Sequence, residues 1–342
     1  MKSAIVTGGA GFVGSHVADQ LLKMGLKVVV LDDMSGGFFR NVPAGAVFEQ
    51  GSICDAKLIE RLFNEHRFNY VFHLAAYAAE GLSAFIRRFN YETNLIGSVN
   101  LINASVNFGV ECFVFTSSMA VYGEATPPFH EDQAGSPIDP YGISKWSVEQ
   151  DLGCARETMG LRSIVFRPHN VYGDRQNLSD PYRNVVGIFL RQTLQGKRCT
   201  VFGDGKQTRA FSHIDEVAPI IAKSVLNKDA YDRVFNVGSD HHLSILDLAE
   251  KVQRMLGSNA GIEFLPKRHE AREAYSHHRN LCKVFGPLAK VDLDLGLERM
   301  AAWARTLEFR AQRRVAQVEI AKNLPPSWAA LHAPPPRQRM IG

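Results

Sequence analysis

The chain has 342 residues, of which 45% are hydrophobic, and its formal net charge is +4 at pH 7. That length suits about two domains, or one large α/β domain with a smaller partner. The charges are scattered rather than gathered in runs, which argues against a nucleic-acid-binding protein. No apolar stretch reaches the roughly 18 residues of a membrane span, and a strand-like segment begins close to the N-terminus. We therefore expect neither a membrane segment nor a signal peptide.

Cysteines and paired histidines could point to disulfides or a metal. The five cysteines lie far apart without a Cys-x-x-Cys pair, which argues against a zinc ribbon, a redox pair or a secreted disulfide framework. A reducing, cytoplasmic environment is expected instead. The pairs His241-His242 and His277-His278 lack a His-Glu-x-x-His motif, so they are expected to be exposed, and no metal is predicted.

Short runs of β-branched and apolar residues alternate with segments of helical length in the first half of the chain. The predicted strands are 4–7, 28–31, 70–74, 112–117 and 163–166. The predicted helices are 15–24, 56–65, 94–108 and 144–158. This alternation is typical of a parallel sheet covered by helices on both faces, and it predicts a doubly wound α/β fold.

The alternation becomes less regular after about residue 168, which divides the chain into predicted domains. Residues 1–168 form the first domain, and 169–322 form a smaller α/β domain that closes over a ligand. A buried strand-like segment at 235–237 could return to the first sheet, within a stretch near 210–240. Residues 323–342 contain five prolines and are expected to form an irregular tail.

The sequence TGGAGFVGSH at 7–16 joins the first predicted strand to the first predicted helix. Glycine permits a tight turn and lets backbone N–H groups approach a pyrophosphate, which the helix N-terminus also attracts. Asp32 ends the next predicted strand, where its carboxylate can bind an adenosine ribose diol and would repel a 2′-phosphate. These features predict NAD rather than NADP as cofactor. Arg40 is interpreted as a solvated loop residue.

Tyr141 and Lys145 have the i, i+4 spacing near the start of a predicted helix and hence share one face. A phenol is a poor base at neutral pH, but an adjacent ammonium and a positive nicotinamide ring favour its ionised form. Tyr141 could then remove a proton from a substrate hydroxyl. Thr116, Ser117 and Ser118 lie at the end of a predicted strand, and one of these hydroxyls can hydrogen-bond the same oxygen as that oxygen becomes a carbonyl.

Together these motifs resemble those of the extended short-chain dehydrogenase/reductases, and most closely the UDP-glucose 4-epimerases and related UDP-sugar epimerases, over about residues 2–290. The matching segments are TGGAGFVGSH at 7–16, VFHLAA at 71–76, YETNLIGS at 91–98, FTSSMAVYGE at 115–124, PYGISK at 140–145, FRPHNVYGDRQN at 166–177 and FGDGKQTRAFSHIDEV at 202–217. The resemblance implies an NAD-binding Rossmann domain and a UDP-sugar substrate. It also implies a homodimer formed through the helices near 94–108 and 142–158.

The resemblance also implies roles for individual residues. The catalytic roles fall to Ser118, Tyr141 and Lys145. The implied cofactor-binding residues are Gly8, Gly11, Phe12, Val13, Gly14, Asp32, Ser52, Ile53, Leu74, Ala75, Ala76, Asn94, Tyr141, Lys145 and Pro168. The implied substrate-binding residues are Ser118, Met119, Asn170, Arg183, Asn184, Phe202, Arg209, Arg268 and Tyr275.

Four of the implied substrate-binding residues have a more specific expected role. Arg209 and Arg268 resemble two diphosphate-binding arginines, and Phe202 resembles a contact to uracil. Tyr275 resembles a gate beside the C2 substituent of the sugar, where a tyrosine crowds out an N-acetyl group. This position favours a hexose or uronate without that group.

The chain departs from the family pattern in several places. Ser52 stands where an aspartate usually touches adenine, and Ala78 replaces a lysine that is often near the cofactor. Glu270 and its neighbours replace the Pro-Gly-Asp that usually follows the arginine at position 268. Glu80 has no role that the resemblance assigns.

The residues after Ser118 bear on the reaction. Sugar-nucleotide 4,6-dehydratases commonly have an Asp-Glu pair directly after the catalytic hydroxyl residue, and uronate decarboxylases typically keep the glutamate. Here those places hold Met119 and Ala120. This favours 4-epimerisation of a UDP-hexose, UDP-glucose/UDP-galactose or UDP-glucuronate/UDP-galacturonate, through a transient 4-keto sugar. A dehydratase or decarboxylase of the same family is the alternative, and a non-catalytic NAD-binding sensor is an alternative of another class.

Overall fold

The structure is a computed structural model that describes residues 1–182, 184–268, 270–309 and 317–332. Its strands are Ser3–Thr7 (β1), Lys27–Asp32 (β2), Val47–Gln50 (β3), Tyr70–His73 (β4), Cys112–Thr116 (β5), Ser163–Pro168 (β6), Val171–Tyr172 (β7), Cys199–Phe202 (β8), Thr208–Ala210 (β9), Ser212–His213 (β10), Arg233–Val237 (β11), His242–Ser244 (β12), Ile262–Leu265 (β13) and Glu273–Ala274 (β14). Its α-helices are Phe12–Lys23 (α1), Ala56–His66 (α2), Glu80–Ser83 (α3), Arg87–Tyr91 (α4), Gly97–Asn107 (α5), Pro140–Met159 (α6), Val185–Leu194 (α7), Ile214–Lys223 (α8), Ile245–Leu256 (α9), Arg279–Phe285 (α10), Leu293–Ala304 (α11) and Pro326–His332 (α12).

A seven-stranded parallel sheet forms the centre of the molecule, with strand order β11-β6-β5-β4-β1-β2-β3. The strand order reverses between β1 and β4: β2 and β3 lie on one side of β1, and β4, β5, β6 and β11 lie on the other. Ligands of open α/β sheets bind at this kind of switch point, beyond the carboxyl ends of the strands. The predicted doubly wound fold is confirmed.

Both faces of the sheet are buried, because alternate residues of each strand point to opposite sides. Val6 belongs to a core that includes Val17 of α1 and Ile221 of α8. Its neighbour Ile5 belongs to the opposite core, with Leu62 of α2. This two-sided burial explains why the strands are continuous apolar runs in the sequence.

The second lobe and the sheet exchange elements. β11 lies far beyond residue 168, yet it pairs with β6 at the edge of the sheet, and α8 packs beside α1. The small sheets β12-β9-β14 and β13-β8 lie outside this central sheet. A separate core joins α7, α9 and α11.

The structure adds detail that the sequence pattern did not predict. Helix α6 begins at Pro140 rather than near 144, because the Asp139 side chain accepts a hydrogen bond from Gly142 N (2.9 Å) and proline suits the first helical turn. Strand β3 had not been predicted. The irregular tail expected from residue 323 is wrong for Pro326–His332, which form α12, while residues 333–342 lie outside the described residues. Within the described ranges, no helix has the length and apolar character needed to cross a membrane.

Candidate active site

A cavity of about 1500 Å³ opens at the carboxyl ends of the central strands and continues under the second lobe. Its volume exceeds the roughly 300–1,000 Å³ typical of a pocket for one drug-sized ligand. It therefore has room for two ligands placed side by side.

Most of the residues singled out from the sequence line this cavity. Those expected to contact a cofactor are Gly8, Gly11, Phe12, Val13, Gly14, Asp32, Ser52, Ile53, Leu74, Ala75, Ala76, Tyr141, Lys145 and Pro168. Those expected to contact a substrate are Ser118, Asn170, Asn184, Phe202, Arg209 and Arg268. The structure thus brings both groups to one continuous wall.

The glycine-rich turn after β1 packs its backbone tightly against itself. Gly8 has φ +70°, a conformation that side chains rarely adopt, and a Cβ added at Gly14 would lie 2.2 Å from the Gly8 carbonyl oxygen. Only glycine allows the first turn of α1 to approach so closely. The turn presents N–H groups at the positive end of a helix, which suits a bound phosphate.

Asp32 lies at the end of β2 on the cavity wall, where only 8% of its surface is exposed. Its two carboxylate oxygens accept hydrogen bonds from the backbone N–H groups of Ala10 (3.0 Å) and Met34 (2.9 Å). These bonds hold the carboxylate in a fixed position beside the glycine turn. Arg40 is exposed, and its guanidinium lies 4.3 Å from the Phe38 ring centre.

Asn94 supports the cavity from behind. It is buried in a π-helical segment, and its side-chain amide accepts from Tyr77 N (2.8 Å) and donates to Tyr77 O (3.3 Å) and to Asn90 (2.9 Å). Tyr77 follows the strand end that lines the cavity. Asn94 was expected to bind the cofactor. In the structure, its side chain instead hydrogen-bonds the backbone of Tyr77 and so holds that part of the cavity wall in position.

Tyr141 and Lys145 share one face of α6, with Lys145 Nζ 5.9 Å from the Tyr141 ring centre. Lys145 Nζ also donates to Thr116 O (2.9 Å), which ties the helix to the end of β5. Burial lowers the pKa of Lys145 to about 7, and the negative charge of Glu149 partly opposes this change. A desolvated ammonium is stabilised by an anionic neighbour, so this lysine favours a phenolate at Tyr141.

Both serines after β5 line the cavity, but their hydroxyls have different partners. The Ser118 hydroxyl accepts from Ala120 N (3.1 Å) while the residue lines the cavity. The Ser117 hydroxyl is buried and donates to Glu149. The sequence-based choice of Ser118 therefore agrees with the geometry.

A buried ion pair that the sequence analysis missed lies behind this constellation. Glu149 follows Lys145 by one helical turn and pairs with Arg167 of β6 (2.6 Å), with both side chains almost fully buried. Arg167 also donates to the Tyr122 hydroxyl (2.8 Å). The i, i+4 spacing of positions 141, 145 and 149 was the available signal. The pair fixes α6 against the sheet and so positions Tyr141.

Glu80 begins α3 and lines the cavity, where its side chain is exposed to the cavity space. Desolvation by the surrounding cavity, together with the negative charges of Asp139 and Glu270, raises the pKa of Glu80 to about 7, although Arg209 and Arg268 act in the opposite direction. A carboxyl group with this pKa can donate or accept a proton near neutral pH. The signal in the sequence was an acidic residue among the alanines of the segment 75–79.

Arg209 and Arg268 converge at the far end of the cavity, where both pair with Glu270 (3.2 and 3.1 Å). The Arg268 guanidinium also lies 4.6 Å from the Phe202 ring centre. Arg268 Nε is buried without a hydrogen-bond partner in the described part of the chain. Two cations, an aromatic ring and a donor without a partner form an end suited to an anionic, ring-bearing ligand.

Helix α12 packs over this end of the cavity. Trp328 is 6% exposed, and its ring centre lies 5.2 Å from that of Tyr182 and 6.1 Å from that of Phe202. The lining also includes residues 323–327 and Leu331. Nothing in the sequence pattern had connected this segment with the site.

Two expected substrate contacts, Met119 and Tyr275, are not among the described residues that line the cavity. Met119 packs against the buried cluster around Tyr122. Tyr275 stacks on His242, with ring centres 4.2 Å apart and planes inclined by 7°. The gate expected at Tyr275 therefore has no geometric support here, because its ring is engaged away from the cavity lining. Arg183 lies outside the described residues.

The histidine pairs only partly match the expectation of exposure. His241 and His242 are exposed, but His278 is buried and contacts His169 (3.0 Å) and Asp240 (2.6 Å). Its burial follows from the packing of the segment that precedes α10. Among the described residues, no group of three or more His, Cys, Asp or Glu could hold a metal ion.

Comparison with known proteins identifies the family. Residues 4–238 match the model of the NAD dependent epimerase/dehydratase family. A UDP-N-acetyl-alpha-D-glucosaminuronate decarboxylase of Bacillus cytotoxicus is 32% identical over 90% of this chain and 99% of its own. The UDP-glucose 4-epimerase of Thermotoga maritima, solved with UDP-glucose, is 34% identical, with a TM-score of 0.84 over 89% of this chain and 99% of its own. That of Thermus thermophilus, solved with NAD, is 30% identical, with a TM-score of 0.82 over the same shares.

The described residues fit the cofactor of this family. The close contact between Gly8 and Gly14 leaves no room for a Cβ at Gly14. Asp32 is held beside this glycine turn. This agrees with NAD as the cofactor. The chain therefore belongs to the NAD-dependent epimerase/dehydratase family of extended short-chain dehydrogenase/reductases, and it is similar to the UDP-glucose 4-epimerases among them.

Proposed function

We propose that this protein epimerises a UDP-hexose at C4. The observation that carries the proposal is one cavity that is lined by the glycine turn and Asp32, by Tyr141, Lys145 and Ser118, and by Arg209 and Arg268. A sugar bound with its diphosphate at Arg209 and Arg268 would extend toward the tyrosine. The existence of solved relatives with UDP-glucose and with NAD supports the choice of these two ligands.

In the proposed reaction, Tyr141 removes the proton from the O4 hydroxyl, and the charge of Lys145 favours the phenolate form. Ser118 donates a hydrogen bond to the same oxygen as it becomes a carbonyl. Bound NAD would be held by the glycine turn and Asp32, and it would supply the acceptor and the later donor of the C4 hydride. The 4-keto sugar turns over in the cavity before C4 is reduced again. Tyr141 then gives its proton back to the oxygen, so the sugar leaves with only its C4 configuration changed.

A second candidate is elimination or decarboxylation after the same oxidation at C4. Glu80 favours it, because a carboxyl group of pKa about 7 on the cavity wall could supply acid–base chemistry that Met119 and Ala120 cannot. The similarity to a decarboxylase points the same way. Epimerisation remains the first proposal because it requires only the groups that surround Tyr141.

Incubation of the purified protein with UDP-glucose, UDP-glucuronate and their N-acetylated relatives tests the proposal, with products resolved by NMR. N-acetylated sugars belong in the panel because Tyr275 no longer argues against them. We expect a C4 epimer from at least one substrate, and Glu80→Gln should still form it. Loss of water or carbon dioxide from the product, abolished by Glu80→Gln, would instead establish the second candidate.

Assembly and location remain predictions. We propose a homodimer through α5 and α6, because Ile96 and Ile143, which lie on or beside these helices, are 52% and 37% exposed. A cytoplasmic location stays the expectation. Sedimentation of the wild type and of Ile96→Glu measures the assembly, and a wild-type monomer would contradict the dimer.

A further inference from the structure

We propose that the C-terminal segment, residues 317–332, is part of the substrate site and sets the affinity for the nucleoside diphosphate half of the substrate, with Trp328 as a positioning residue. This inference rests on the proposed function for the substrate class, a nucleotide sugar. It adds a wall of the site to the groups already named.

Trp328 lines the cavity and packs against its arginine end. Its ring meets the Phe202 ring nearly edge-on, at 6.1 Å between centres and 73° between planes. Phe202 in turn carries the Arg268 guanidinium on its face. A displaced Trp328 would leave Phe202 free to change rotamer and Arg268 without its aromatic support, because a close-packed side chain is held by its neighbours.

Three distant parts of the chain meet at one point here. A Cβ added at Gly81 would lie 3.1 Å from the Trp328 ring and 3.4 Å from Arg268 Nη1. Gly81 follows Glu80 directly and lines the same cavity. The absence of a side chain at this position lets the tryptophan, the arginine and α3 approach one another.

The segment is anchored at its other end as well. Phe85 O accepts hydrogen bonds from the backbone N–H groups of Glu319 (2.8 Å) and Ile320 (3.2 Å). The Glu319 carboxylate accepts from Arg88 N (2.8 Å) and Phe89 N (2.9 Å) at the start of α4. Between this anchor and Trp328, residues 323–327 line the cavity. The segment therefore crosses the site as a fixed wall.

Two solved relatives are shorter than this chain, which agrees with a C-terminal segment added to the substrate site. The two solved 4-epimerases are covered over 99% of their own chains but match only 89% of this one. The unmatched tenth is about the size of the segment after Phe309.

The experiment compares chains ending at residue 316 and at residue 332, both purified with their cofactor. The probe is UDP in a calorimetric titration, with NAD content and melting temperature measured alongside. We expect at least about 10-fold weaker UDP binding for the chain that ends at 316, equivalent to about 1.4 kcal/mol, because this chain has lost a buried aromatic anchor. The chain that ends at 332 should bind like the wild type, and NAD content should be unchanged in both.

Point variants separate positioning from general stability. Trp328→Ala should raise KM for the UDP-sugar with kcat within about 2-fold of wild type, since the interaction is lost equally in the ground and transition states. Trp328→Phe should recover part of the affinity, and Trp303→Phe, in the core of the second lobe, should have no effect.

Equal UDP affinity in the two truncated chains would overturn the inference, and so would loss of NAD with UDP affinity retained. If the intact chain binds dTDP, GDP or ADP rather than UDP, the proposed UDP-sugar substrate is wrong. The chains ending at 316 and 332 are then compared with the nucleotide that binds, and this comparison tests the role of the C-terminal segment. If the intact chain binds none of the four, both proposals fail.

Discussion

The two halves of the cavity are built in different ways. The cofactor half is made of backbone turns at the ends of neighbouring strands, with the Gly8–Gly14 contact and one fixed carboxylate, Asp32. The substrate half is made of long side chains from separate regions, among them Phe202, Arg268 and Trp328. A half made of backbone is rigid before its ligand arrives, whereas a half made of side chains depends on contacts among distant residues.

The largest expected effect is at the cofactor half. Gly14→Ala would place a Cβ 2.2 Å from the Gly8 carbonyl oxygen, and we expect a loss of about 3 kcal/mol in the free energy of unfolding together with loss of copurified NAD. Gly153→Ala is the matched control, because its Cβ would meet nothing within 4 Å. It should stabilise helix α6 by about 0.5–1 kcal/mol. Chemical denaturation and NAD content measure both, and a Gly14→Ala protein that keeps its NAD would refute the rigidity of the glycine turn.

Tyr141 lies at the junction of the two halves. Tyr141→Phe should lower kcat by at least about 100-fold while NAD stays bound, because it removes the acid–base group but little packing. Steady-state kinetics and the absorbance of extracted cofactor give the two values. Turnover near the wild-type level would eliminate the proposed role of the phenol.

The substrate half should respond in binding rather than in folding. Arg209→Ala and Arg268→Ala should each weaken UDP binding by about 1.5–3 kcal/mol, since both guanidinium groups face the cavity and can make charge-assisted bonds to a diphosphate. Arg254→Ala removes an exposed arginine of α9 and serves as the control. Unchanged UDP affinity in calorimetry would assign both arginines to structural pairing with Glu270 alone.

The smallest effect concerns Glu80 and depends on pH. Its pKa is raised from 4.5 to about 7 in the folded protein, so the folded state holds a proton that the unfolded state releases between these values, and stability falls as pH rises through that range. Glu80→Gln should match the wild type at about pH 4.5 and be more stable at about pH 8. Glu60→Gln, on an exposed face of α2, should not show this change. If the melting temperatures of Glu80→Gln and the wild type differ by the same amount at both pH values, the raised pKa of Glu80 is contradicted.

The contrast between the halves also explains what the sequence could predict. The glycine turn, Asp32 and the Tyr141–Lys145 pair are local patterns whose spacing alone places them on the sheet edge. Ion pairs such as Glu149–Arg167 and Arg209–Glu270 depend on how separate elements pack. Tyr275 was assigned by spacing through a loop, and there the chain directs its ring toward His242 instead. Trp328 was missed because a proline-rich sequence carries no periodic signal for a short packed helix.

The central claim is that hydride leaves C4 and returns to the same carbon. A UDP-hexose carrying deuterium at C4, taken from the substrates that the NMR panel accepts, tests it most directly. The account predicts a C4 epimer of unchanged mass that still carries deuterium at C4, because the hydride is returned within one cycle. A product that has lost the deuterium, or that is lighter by one water or one carbon dioxide, would contradict it.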